Sequence, residues 1–122
     1  MSKIENKGMM FFSSFEFDKQ WESMNLDDED RRLLENEIIK NPHTGTVIRG
    51  TGSLRKMRFA LENKGKSGGV RVLYVNFVVF ERVYLVTAYP KGKKEDITEE
   101  ERKLYKKIIE QTQKELGGNK HE

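Results

Sequence analysis

Leu54-Arg55-Lys56-Met57-Arg58-Phe59-Ala60-Leu61 and Val70-Arg71-Val72-Leu73-Tyr74-Val75-Asn76-Phe77-Val78-Val79-Phe80 carry the pattern that decides the fold. The first stretch alternates. Met57, Phe59 and Leu61 fall on one side of an extended chain and Lys56, Arg58 and Ala60 on the other. The second is β-branched or aromatic almost throughout, the composition of a central strand. Asn63–Gly69 between them, rich in Gly and Lys, reads as a hairpin connection. Glu81-Arg82 makes a turn into a third strand, Val83–Tyr89, which stops at Pro90.

Upstream, Met9-Met10-Phe11-Phe12 suits a short first strand, and Ser13 or Ser14 caps a helix running to Met24. Phe17 and Trp21, four apart, share its buried side. Asn25 or Asp27 caps a second helix whose Asp28-Glu29-Asp30 favours the positive end of the helix dipole. Leu34 and Ile38 form its apolar stripe, widened by Leu33 and Ile39, and Asn41-Pro42 ends it. Gly45–Gly52 is a connecting loop. Downstream of the basic loop Lys91–Glu95, Thr98 with Glu101 forms a capping box. The helix it opens has Leu104, Ile108 and Ile109 as its apolar stripe, reaching towards Leu116, and Gly117-Gly118 ends it. The order β-α-α-β-β-β-α predicts an α+β domain: a small antiparallel sheet with an N-terminal helical hairpin and a C-terminal helix packed on it. One domain spans 1–122, with 1–8 and 117–122 as tails.

Length and composition narrow the function. A chain of 122 residues suits one core. No apolar run approaches a membrane span, and the Met9–Phe12 cluster is too short for a secretory signal. Without cysteine, and with only His43 and His121 as imidazoles, disulfides, thiol chemistry and a structural zinc site drop out. The expectation is a cytoplasmic protein needing no metal or cofactor. Net charge is only +3, but residues 1–48 carry six Lys/Arg against ten Asp/Glu, 49–94 eleven against two, and 95–122 six against eight. Positive charge concentrated mid-chain is the footprint expected for a polyanionic partner.

One ordered series carries more. A Gly-rich run (Gly50-Thr51-Gly52) leads into Leu54-Arg55-Lys56 and Arg58, then Gly65-Lys66-Ser67-Gly68-Gly69, Arg71-Val72 and Tyr74. Tyr84-Leu85-Val86, Tyr89-Pro90-Lys91 and Lys94–Thr98 follow. With the Asn41-Pro42 and Gly45 punctuation, this series resembles the RelE/HigB-like toxins of type II toxin–antitoxin systems, within the RelE/ParE superfamily, over residues 10–112 or so. The resemblance implies an α/β ribonuclease that enters the ribosomal A site and cuts mRNA. It implies an antitoxin partner, often of helix-turn-helix type, that blocks the toxin and links it to operator DNA. It also implies catalytic roles for three residues: Lys56 as base or electrostatic activator, and Arg58 and Arg71 as stabilisers of phosphate charge. Lys91 or Lys94 supplies the remaining acid or positive charge. Some members carry a tyrosine in the segment entering the last helix, where this chain has Asp96-Ile97-Thr98.

Elementary chemistry runs alongside. RNA is cut without metal when its 2′-OH attacks the neighbouring phosphate in line. That needs a base, an acid for the leaving oxygen and donors for the growing phosphate charge. Arginine's planar fork suits such a phosphate, and lysine serves as a base where cationic neighbours favour its neutral form. The candidate RNA-binding residues are Arg55, Lys66, Lys93 and Lys94, with Tyr89 or Tyr74 as a ring for base stacking. Against this stands the ordinary fate of surface lysines, which is to solvate. Ser67 reads as a turn residue, and a Walker-type phosphate loop is excluded because Ala60 stands where its first glycine belongs. The Asp27–Asp30 run reads as dipole compensation, and His43 as exposed. Two other functions stay open: a binding toxin of the gyrase-poisoning, ParE-like branch, and a non-toxic RNA-binding module on the same scaffold.

Overall fold

The computed structural model, which describes residues 9–60, 69–93 and 97–120 (the last three as backbone), starts each helix at a cap marked in the sequence. Helix α1 (Phe15–Ser23) follows Ser14, whose hydroxyl accepts the Phe17 N–H at 2.9 Å. Helix α2 (Asp28–Lys40) opens on a reciprocal box in which Asp27 and Asp30 each accept the other's backbone N–H, at 2.9 and 3.0 Å. Helix α3 (Glu99–Lys120) opens on the Thr98–Glu101 box, at 2.8 and 3.1 Å. Each such cap contributes about 1 kcal/mol, because it satisfies N–H groups that the first turn leaves without a partner.

The strands are β1 (Met10–Ser13), β2 (Thr46–Val47), β3 (Leu54–Phe59), β4 (Val70–Phe77) and β5 (Arg82–Pro90). They form one sheet in the order β1-β5-β4-β3-β2. Pairing is antiparallel from β2 through β5, as expected, but β1 joins the outer side of β5 in parallel, Met10 opposite Arg82 and Ser13 opposite Leu85. A chain that begins at the sheet's far edge must cross back through α1 and α2 before laying down β2, which fixes that orientation. The loop expected over Gly45–Gly52 contains β2, whose Thr46 and Val47 pair with Lys56 and Arg55. The strand expected to run to Phe80 stops at Phe77. Val78–Phe80 form a 3-10 turn and Glu81 takes a left-handed φ of 54°, closing the β4–β5 hairpin with no glycine or proline to mark it. At the start of β4, Gly69 has φ +72°, and a Cβ there would collide with the Phe59 carbonyl oxygen.

The two faces of the sheet bury different partners. On one, Phe17, Trp21, Leu34 and Ile38 pack on Met57, Phe59, Val72 and Leu85. The Phe17–Trp21 and Trp21–Phe59 rings stack at 5.2 and 6.0 Å, and the Trp21 indole N–H donates to the Asp27 carbonyl at 3.1 Å. Leu34 and Ile38 are fully buried, whereas Leu33 is exposed and does not widen their stripe. On the other face, α3 covers Leu54, Leu73, Val75 and Phe77. Here the expected stripe holds in part: Ile109 and Leu116 face the sheet, joined by Tyr105, while Leu104 and Ile108 are 55% and 50% exposed. Leu104/Ile108 and Tyr105/Ile109 both have helical spacing and are offset by one residue, so tertiary contacts select between the two pairs. One such contact is the Arg102 guanidinium donating to the Arg49 carbonyl at 3.1 Å. Helix α3 also continues through Gly117-Gly118, where a termination was expected. The Phe80 ring lies 3.9 Å from where a Gly117 Cβ would sit, and Leu116 packs in the same cluster. Among the described residues no helix is long and apolar enough to cross a membrane. Leu61, Lys66, Ser67, Lys94 and residues 1–8 lie outside the described residues.

Candidate functional site

Strand alternation and register assemble the site. Lys56 and Arg58 share with Leu54 the side of β3 that faces α3, and the β3–β4 register sets Arg58 directly opposite Arg71 and Lys56 opposite Leu73. On the far side of β4, Arg71 is opposite Tyr89 of β5. The result is a cross-strand row, Arg58–Arg71–Tyr89, with Lys56 one step along. Directly opposed residues hold their Cβ atoms about 4.5–5.5 Å apart, so two guanidinium stems leave the sheet side by side. Arg58 is exposed, and Arg71 and Lys56 are partly so, because α3 covers only the neighbouring rows.

The remaining expected residues divide. Lys91 and Lys93 are exposed in the turn that follows β5, at the same end of the sheet as the arginine pair. The Lys91 N–H ties this turn to the Gly69 carbonyl at 3.1 Å. Lys66 and Lys94 are outside the described residues. Tyr89 is in the row, yet it is only 8% exposed, in the same buried cluster as Ile97, so its ring offers no open stacking face. Tyr74 is fully buried on the opposite side. Its hydroxyl donates to the Pro42 carbonyl at 2.9 Å and accepts the Gly45 N–H at 3.2 Å, so it is not available to a base. Burial pushes this hydroxyl's pKa above the usual 10.0, opposed by the Gly45 hydrogen bond and the Arg55 charge. Arg55 also points away from Arg58. It donates to the carbonyls of Gly45 at 2.6 Å and His43 at 3.4 Å, pinning the loop that carries β2. His43 itself is exposed. Asp27 and Asp30 serve the α2 cap, and among the described residues no three His, Asp or Glu side chains converge as a metal-binding group.

A family model described as the RelE toxin of the RelE/RelB toxin–antitoxin system matches residues 9–117. The chain belongs to this RelE toxin family. It is similar to an arginine-to-alanine double mutant of E. coli toxin RelE in the free state, with 17% identity over 69% of this chain and 84% of that one and a TM-score of 0.48. It is also similar to a chain of the intact E. coli RelBE toxin–antitoxin complex, with 19% identity over 72% and 99% of the two chains and a TM-score of 0.48.

This RelE-family chain has a second feature beside the arginine row that the sequence did not disclose. A cavity of about 360 Å³ opens at the end of β5 between α1 and α3, with Glu16, Gln20, Tyr89, Glu101 and Tyr105 in its walls. Burial, then the charges of Glu101 and Glu16, then Tyr89, push the Tyr105 hydroxyl above 10.0, so these groups sense one another. The capping box locates Glu101 in the sequence, but nothing local announces that Glu16, from the other end of the chain, stands nearby.

Proposed function

We propose that this toxin is a ribosome-dependent mRNA endoribonuclease silenced by an antitoxin partner. The observation that carries the reading is the Arg58–Arg71 pair, opposed in register, Arg58 exposed and Arg71 partly so, with Lys56 on the same side of the sheet. Two guanidinium forks at that spacing suit a phosphate whose equatorial oxygens gain charge. Lys56 is placed to activate the 2′-OH as base or electrostatic partner, and Lys91 to supply the acid or further positive charge. The bond from the 2′-oxygen to phosphorus forms as the bond to the 5′-oxygen breaks, and that oxygen takes up a proton. The products are a 2′,3′-cyclic phosphate and a 5′-hydroxyl end. In this reading the ribosome holds the mRNA in line. Membership of a toxin–antitoxin family supports an antitoxin, of helix-turn-helix type in this reading, through which alone the toxin meets operator DNA. Action on translating ribosomes places it in the cytoplasm.

The test is induction of the chain in a bacterial host, wild type beside Arg71→Ala, with mRNA 5′ ends mapped and the variant's fold checked by circular dichroism. Growth arrest with new cuts inside translated codons, absent from a folded Arg71→Ala, is the expected result. Arrest without cuts would replace this reading with a binding toxin, and no arrest from soluble wild-type protein would leave a non-toxic module.

A further inference from the structure

We propose that the glycine loop at 49–53, between β2 and β3, forms with Arg102 of α3 a second phosphate site, which holds the RNA backbone at a distance from the Arg58–Arg71 row. The proposal deepens the nuclease reading and rests on it for the identity of the ligand as RNA.

The loop presents its backbone to solvent. Gly50 and Gly52 take left-handed φ of +84° and +89°, and Thr51 between them does not. Such alternation turns neighbouring N–H groups towards a common centre, the concavity that receives anions in phosphate-binding loops. Thr51 fixes the shape. It is 1% exposed, and its hydroxyl donates to the Ile48 carbonyl at 2.6 Å and accepts the Leu54 N–H at 3.2 Å. Its own N–H goes to that same carbonyl at 3.3 Å, and among the described residues the Gly52 and Ser53 N–H groups have no backbone acceptor. Both glycines are exposed. A Cβ on Gly52 would meet nothing within 4 Å, and one on Gly50 only the Arg102 Cδ at 4.0 Å. A phosphate can therefore come close to this stretch of main chain.

Charge points the same way. Arg49 is exposed at the start of the loop, and Arg102 reaches over Gly50 to donate to the Arg49 carbonyl at 3.1 Å. A guanidinium has five donors, so Arg102 can serve that carbonyl and a phosphate oxygen together. The position ties the loop to the arginine row. Leu54, where the loop ends, shares its side of β3 with Lys56 and Arg58. The step from Leu54 to Arg58 is roughly 13 Å along the strand, with Lys56 midway. Cations thus line β3 from the arginine row to the loop, a track for successive phosphates of one strand. Holding the strand at two points fixes its direction across the sheet. The loop reads no base edge, so its contribution is the same for every sequence.

The experiment titrates the purified full chain with a short single-stranded 2′-O-methyl RNA, which lacks the attacking hydroxyl and stays uncut, over a series of salt concentrations. Arg49→Ala should bind about tenfold more weakly at low salt, the size of one charge-assisted hydrogen bond. Its slope of log affinity against log salt should be smaller by about 0.7, one phosphate contact on a single strand. Arg49→Lys should recover most of that slope, and the losses in Arg49→Ala and Arg58→Ala should add, as for separate sites. Lys19→Ala, an exposed cation on α1, should change little. By NMR, the Gly52 and Ser53 amide protons should shift downfield as RNA is added to wild type, and not in Arg49→Ala. Amides that stay unmoved, an Arg49→Ala effect no larger than that of Lys19→Ala, or no RNA binding by wild type would overturn the site. Equal shifts at equal concentrations of inorganic phosphate would assign the loop to free anions and also overturn it. The nuclease reading is judged separately by the mapped cuts. Amide shifts and Arg49 dependence without cutting keep the loop site and remove the nuclease, and cutting with neither does the reverse.

Discussion

The side of the sheet under α1 and α2 is sealed by Phe17, Trp21, Leu34 and Ile38, whereas the side under α3 is covered over only part of its length, leaving Arg58, Arg71 and Lys56 accessible. The sealed side is bound by stacked rings and caps, each interaction lowering the energy of the folded chain. The open side sets two arginines opposite each other in register. If the proposed site is right, stability and anion recognition lie on opposite surfaces of one thin sheet and can be disturbed independently.

The largest effect should come from the sealed side. Phe17→Ala should lower unfolding free energy by about 3–5 kcal/mol in urea titration. A loss below about 1 kcal/mol would mean that this cluster does not dominate stability. Next, Arg58→Ala should reduce mRNA cleavage by about 10²–10³-fold, or about 2.7–4 kcal/mol of transition-state stabilisation, with a urea-stability loss smaller than that of Phe17→Ala. A variant that also unfolds easily would dissolve the contrast between the two surfaces. Tyr74→Phe tests the buried clamp on Pro42 and Gly45 and should cost about 1–3 kcal/mol.

The same tyrosine carries a pH signature. Its folded pKa is raised above 10.0, so its contribution is fully present below that value and lost as pH rises through the folded one. Stability followed into the alkaline range should fall less steeply in Tyr74→Phe, with Tyr105 accounting for a remaining slope of the same sign. Asp27→Ala, which breaks one α2 cap bond, should cost about 1 kcal/mol. The smallest change is expected from Leu104→Gln on the outer surface of α3, within about 0.5 kcal/mol in the same urea titration. A larger loss there would show that α3 packs with a different rotation.

Much of this was legible locally. Ser14, Asp27 with Asp30, and Thr98 with Glu101 are caps whose partners lie three residues away, so sequence spacing alone names them. Phe17 with Trp21 and Leu34 with Ile38 repeat every four residues and are buried as read. The alternation in Leu54–Phe59 put Lys56 and Arg58 on one side, and the hairpin brought Arg71 to them. Less legible was anything depending on a rotation or a distant partner. Arg55 and Tyr74 are as basic and as aromatic as their neighbours, and only the side of the strand on which each falls ties them to the loop at 42–45.

By itself, then, the sequence determined where helices begin, which strands alternate, which side of β3 bears the cations and the resemblance to a toxin family. All of these are short-range patterns or ordered motifs. Only the tertiary structure decided that β1 runs parallel to β5, that Tyr105 and Ile109 of α3 face inward with Leu104 and Ile108 left outside, and that Glu16 meets Glu101 and Tyr105 beside Tyr89. Each of these depends on which of several locally equivalent surfaces finds a complementary one far along the chain. That choice is made by packing the whole core at once, because no residue within a few positions distinguishes the alternatives.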